Sequence, residues 1–147
     1  MTTVQVSIRH TLATLAYRLR RTLEGAPEGF AAITAGHGTR SAVEILAHIG
    51  DLLDWVFSLA KGAEQWNDSA PLPWAGEIVR CRKALETFDG YMASGTELKT
   101  PAEQLFQGAI ADALTHVGQL AILRRIAGGP IESENYAVAP IEEGILL

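Results

Sequence analysis

Four stretches of this chain carry apolar residues at three- and four-residue steps, and segments rich in glycine or proline separate them. That spacing follows the 3.6-residue turn of an α-helix, so each apolar set forms one face that must be buried against another element. The first stretch runs from about Val4 to Glu24, with Leu12, Leu15, Leu19 and Leu23 in register. GAPEGFAAITAGHGTR follows and reads as a loop. The second helix opens at SAVE, where Ser41 as N-cap and Glu44 three residues on make a capping box. It continues through Val43, Leu46, Ile49, Leu53, Val56 and Phe57 to about Lys61, and GAEQWNDSAPLP then breaks the pattern. The third helix spans about Pro73 to Ala93, with Trp74, Ile78, Leu85, Phe88 and Met92 on its apolar face. TPAE at 100–103 predicts a second capping box, with Thr100 as N-cap and Pro101 in the first helical position. The fourth helix extends from there to about Ala127, where GGP stops it. Residues 128–147 show no helical period and read as an irregular tail, and no strand pattern or repeat is present.

Four amphipathic helices with one shared core predict an all-α fold, a four-helix bundle in a single domain over residues 1–147. The 147 residues suffice for one core, and hydrophobic residues at 48% can fill it. Aromatics are only 7%, so alanine, leucine, isoleucine and valine have to supply most of the burial. The short link between helices three and four predicts antiparallel neighbours. The longer link between helices two and three, at about 3.3 Å per residue, can run the length of the bundle and permits an up-down-down-up arrangement.

Charge and cysteine usage exclude several classes. A net charge of −5 argues against nucleic acid as a partner, which needs clustered lysine and arginine. The two short basic runs, RLRR at 18–21 and RCRK at 80–83, fall within helical patterns and read as solvated faces. No uncharged apolar run is long enough to span a bilayer, and MTTVQVSIRHTLATLAYRLRR lacks the apolar centre of a signal peptide. A lone cysteine, Cys81, rules out an internal disulfide and fits a cytoplasmic protein with no membrane partner. Its place on an apolar stripe marks it as a small buried residue.

QGAIADALTHVGQLAIL, residues 107–123, holds one carboxylate and one imidazole in an otherwise uncharged helix. Asp112 and His116 share a stripe with Leu105, Ala109, Leu120 and Leu123, one turn apart on the core-facing side. A buried carboxylate needs a partner, because leaving it unpaired costs several kcal/mol. In EILAHIGDLLDWV of helix two, His48 lies with Ile45, Ile49 and Leu52, again on the apolar side. Two imidazoles and a carboxylate facing one another form a ligand set suited to a divalent metal with open positions. The same three side chains also suit a hydrogen-bonded polar cluster without a metal. His10 shares a solvated face with Thr14, Tyr17 and Arg21, and His37 sits in the loop AGHGT; neither is assigned to the site.

SAVEILAHIGDLLDW, DALTHVGQLAILRRIAGGP and ENYAVAPI together resemble the DinB-like (DinB/YfiT-like) superfamily of four-helix-bundle proteins over nearly the whole chain. The resemblance implies an up-down-down-up bundle, a homodimer, and a three-residue core site for zinc, nickel or a similar divalent ion. It places the helix-two ligand on His48 and the last helix-four ligand, followed by x-G-Q, on His116. The middle ligand is usually histidine, and here that position is Asp112. A carboxylate still ligates zinc or nickel, and it makes the site harder, which also suits manganese or iron. Several relatives are thiol-cofactor transferases, so the resemblance implies a metal-dependent thiol transferase or hydrolase acting on a small molecule. The alternative is a non-catalytic dimeric bundle with a structural or vestigial metal site. Gln119 and Tyr136 stand near the candidate motifs as residues that orient substrate or serve structure.

Overall fold

A computed structural model describes all 147 residues. The chain is helical throughout, with no strand. Three long helices, α1 (Thr3–Leu23), α2 (Ala42–Ala60) and α3 (Trp74–Ala93), precede a fourth helical segment in three parts. These are α4 (Ala102–Leu105), a π turn (Phe106–Ile110) and α5 (Ala111–Ile126). Single 3₁₀ turns lie at Phe30–Ala32 and Tyr136–Val138.

The apolar stripes read from the sequence meet in one cluster. Leu12, Leu15 and Leu19 of α1 are fully buried there, with Leu46, Ile49 and Leu53 of α2. Leu85, Phe88 and Met92 of α3 and Leu105, Ile110 and Leu120 of the fourth segment complete it. Each such side chain contributes about 1.5–3 kcal/mol relative to exposure, which is what holds the helices together. Cys81 is buried in this cluster as expected, and burial pushes its thiol up to about 12. No helix is long and apolar enough to cross a membrane.

Packing departs from the expectation in one respect. Helix α3 lies against α2 and α1, and α5 also lies against α2 and α1, so α3 and α5 are diagonal rather than neighbours. The connection between them explains this. Its Lys99 N–H donates to the Ala60 carbonyl at 2.8 Å, and the Thr100 hydroxyl donates to the Leu59 carbonyl at 2.8 Å. Both acceptors lie in the last turn of α2, where carbonyls lack i+4 helical partners, so the chain is drawn across that end before the next helix starts. The capping box expected at TPAE therefore does not form: Pro101 is the N-cap, without a side-chain bond, and the Thr100 hydroxyl serves α2 instead. The box at Ser41 and Glu44 does form, and a further one joins Thr2 and Gln5 at the start of α1.

The two basic runs are less solvated than their sequence implied. Arg80 of RCRK reaches inward to Asp51, Glu77 and the Ala47 carbonyl. Arg21 of RLRR pairs with Glu134, and Arg18 lies over the Tyr136 ring at 3.9 Å, which fastens the tail to α1. Tyr17 joins them by donating to Glu134 at 2.5 Å, so this part of the His10 face is covered by the tail. Tyr136 is thus held as a structural residue. Arg124, buried near the end of α5, donates to the carbonyls of Thr22, Glu24 and Gly25 at the end of α1. A cation at that helix end satisfies acceptors that α1 itself cannot.

Candidate metal centre

The three residues singled out in the sequence come together. His48 Nε2 lies 3.8 Å from Asp112 Oδ2, and His116 Nε2 lies 3.5 Å from Asp112 Oδ1. The two imidazole rings are 4.6 Å apart and nearly perpendicular. One ligand atom from each residue falls within 4.8 Å of the others. Atoms bonded to a single ion at about 2.0–2.2 Å stand roughly 3–4 Å from each other, so small side-chain adjustments fit this donor set to a divalent cation. Two imidazoles and one carboxylate match zinc, nickel, manganese or iron by softness, and do not select among them.

Burial of the three is unequal. His116 is buried and His48 half-buried, whereas the Asp112 side chain is 49% exposed. The sequence stripe placed Asp112 toward the core; in α5 it stands instead at the edge of the buried stripe of Ala113, His116, Val117 and Leu120. Gly108 within that turn has φ −87° and ψ −105°, outside helical geometry. A π turn takes up an extra residue and rotates everything after it relative to the preceding helix. Asp112, two residues beyond the turn, stands at the rim of the core, where water reaches it. Gly108 in an apolar helical run was the available sign of the turn, since glycine weakens a helix interior by about 1 kcal/mol relative to alanine.

His116 Nδ1 stands 2.8 Å from Gln119 Oε1, which can only accept, so Nδ1 is the donor and Nε2 is the nitrogen that faces Asp112. Gln119 therefore orients a ligand. Burial, then the charges of Arg40 and His116, hold the His48 imidazole below its ordinary range, against the opposing pull of Asp112 and Asp51. His48 is consequently neutral near pH 7.

Two aromatic residues border the site that the sequence reading did not assign to it. The Trp66 ring lies 5.7 Å from that of His48 and 5.8 Å from that of Trp55. Trp66 belongs to the α2–α3 connection, so its position depends on how that connection folds back over α2. The Ser58 hydroxyl fixes the fold-back by accepting from the Gln65 N–H at 3.0 Å. His10 and His37 are both exposed and outside the cluster; His37 has a φ of 56° in its loop. Comparison with models of protein families, with curated proteins and with solved structures gave no match to this chain.

Proposed function

We propose that this chain is a divalent-metal-binding protein, an up-down-down-up four-helix bundle of the DinB-like kind that acts on a small molecule. The observation that carries the metal reading is the convergence of His48, Asp112 and His116 within 4.8 Å. Contacts between helices support the topology. Arg80 near the start of α3 meets Ala47 near the start of α2, and Tyr91 near the end of α3 packs on Phe57 near the end of α2, which is a parallel pair. Gln5 and Arg9 at the start of α1 meet Thr96 and Asp89 at the end of α3, which is an antiparallel pair. Arg124 joins the ends of α5 and α1.

His48 and His116 hold the ion through Nε2, and Asp112 supplies the anionic ligand from the solvent side. Three protein ligands and an exposed rim favour a reactive centre over a structural one, because structural zinc sites are closed by four protein ligands. A divalent ion held there would supply Lewis acidity, which lowers the pKa of a bound water or thiol toward neutral pH. The chain's own part is to keep the His48 imidazole neutral, to orient His116 through Gln119, and to restrict access beside Trp66. A metal-dependent thiol transferase or hydrolase is the activity class this supports. Assembly as a homodimer is part of the same proposal and rests on the family resemblance.

Elemental analysis of protein purified without an affinity tag tests the metal reading most directly. Zinc, nickel, manganese or iron near one equivalent per chain, lost on replacing His48 or His116 by alanine, is the expected result. Wild-type protein that neither retains nor takes up any of these ions would overturn it. A screen with thiol cofactors then tests the activity class.

A further inference from the structure

We propose that a cavity beside the metal centre binds a small carboxylate with a compact apolar body, and that Arg40 receives the carboxylate. This names a substrate class for the metal-site reading and rests on that reading for its function, although binding itself is testable without a metal. The cavity has a volume of about 570 Å³ and lies between the α1–α2 loop and α5. That size falls in the range of small-molecule sites, about 300–1,000 Å³. Ile45, Ile122 and Leu123 form its apolar wall, and Arg40, Thr39 and Gln119 are its polar lining.

Charge decides what such a cavity accepts. No carboxylate lines it, and Arg40 is its single charged group. Several other arginines are committed: Arg9 to Asp89, Arg21 to Glu134, Arg80 to Asp51 and Glu77. Arg40 has no such acceptor, and the acid one turn away, Glu44, is engaged by the Ser41 N–H at 2.6 Å in the capping box. A planar guanidinium presents paired N–H donors that match one carboxylate. A phosphate dianion would call for more positive charge than this lining holds.

The cavity reaches the metal centre through Gln119. Gln119 lines the cavity and bonds His116 through its oxygen, which leaves its amide N–H groups as donors. Arg40 also lines a second pocket that contains His48. A ligand seated with its carboxylate on Arg40 and its apolar body on Ile45 and Leu123 therefore lies beside Gln119, which holds the His116 ring.

The test uses 3-phenylpropanoate and its neutral analogue 3-phenylpropanamide as probes, titrated into the metal-free full chain and followed by amide chemical shifts. The expected result is saturable binding of the acid at millimolar concentration or tighter, with shifts at Gly38, Gln119 and Leu123. The amide and the Arg40→Gln variant should each bind at least about tenfold more weakly, as loss of a charge-assisted bond implies. Lys83→Gln, an equal charge change on the exposed side of α3, should bind like wild type. Equal binding of acid and amide, equal binding by Arg40→Gln, or no saturable binding would overturn the proposal. Metal uptake by Arg40→Gln is measured in parallel and should be unchanged. Carboxylate binding in a chain that takes up no metal would uphold the cavity while removing the metal reading.

Discussion

Helix α2 carries two polar clusters one turn apart, and they are built on opposite plans. Around Asp51 every oxygen of the two buried carboxylates, Asp51 and Glu77, has a hydrogen-bond donor. The two Asp51 oxygens accept from the Ser69 N–H at 3.0 Å, the Ser69 hydroxyl at 2.7 Å and Arg80 at 3.0 Å. Glu77, fully buried, accepts from the Leu72 N–H at 2.8 Å and from Arg80 at 2.9 Å. Around His48 and Asp112 the closest approaches are 3.5 and 3.8 Å, too long for hydrogen bonds, and the carboxylate is half in water. A closed cluster has no capacity left for a ligand and serves to lock α3 and the α2–α3 connection onto α2. An open one keeps lone pairs free at the cost of weaker internal bonding, which is the state a metal site needs before it is filled.

Removing the centre of the closed cluster should have the largest effect. Arg80→Met leaves Asp51 and Glu77 as buried carboxylates without their cation, which costs about 3 kcal/mol or more. Thermal melting should fall by roughly 6–12 °C for a chain of this size, with metal content per folded chain unchanged. A variant that melts like wild type would show that the cluster is not closed in the sense argued.

The open cluster should give the inverse pattern. Asp112→Asn should weaken metal binding by about a hundredfold and leave the metal-free melting temperature within about 2 °C, because the side chain is half exposed and makes no short bond. Asp112→His should restore binding. Equal metal content in wild type and Asp112→Asn, read by titration, would remove the carboxylate from the ligand set.

A smaller effect is expected one bond further out. Gln119→Leu frees the His116 ring to turn and to change tautomer, and should weaken metal binding about tenfold. Isothermal titration of both proteins with nickel compares them directly.

Cys81 provides the mildest reading of the closed side, since it lies next to Arg80 and behind that cluster. Burial raises its thiol to about 12, and Arg80 opposes this only in part. The raised value has no effect on stability below the ordinary thiol range of about 8.5–9. It removes stability as pH rises from there toward 12, where the unfolded chain ionises and the native one resists. At pH 8 native protein should therefore react with a water-soluble disulfide reagent only as fast as it unfolds, and Arg80→Met should react faster.

Much of the helical frame was legible in the residues. Leu12, Leu15 and Leu19 on α1 and Leu85, Phe88 and Met92 on α3 are buried as their spacing required, and Ser41 caps α2 as its context required. These are local effects, settled within one or two turns of chain. The candidate ligands were legible for the same reason, as polar groups on apolar faces. What escaped were effects in which one segment answers the needs of another. Thr100 left its own helix to satisfy Leu59, and Arg80 and Arg21 turned from solvent to acids distant in the sequence.

The sequence by itself determined that this chain is helical, where most of its helices begin and end, and that His48, Asp112 and His116 were available as ligands. Periodicity, caps and glycine or proline punctuation act over a few residues, so they can be read one segment at a time. Tertiary structure alone decided that α3 and α5 are diagonal, that Asp112 stands at the rim, and that Trp66 and Arg40 stand beside His48. Those outcomes depend on which unsatisfied carbonyl, buried acid or apolar face lies within reach once the helices pack. Such distances between segments exist only in the folded chain.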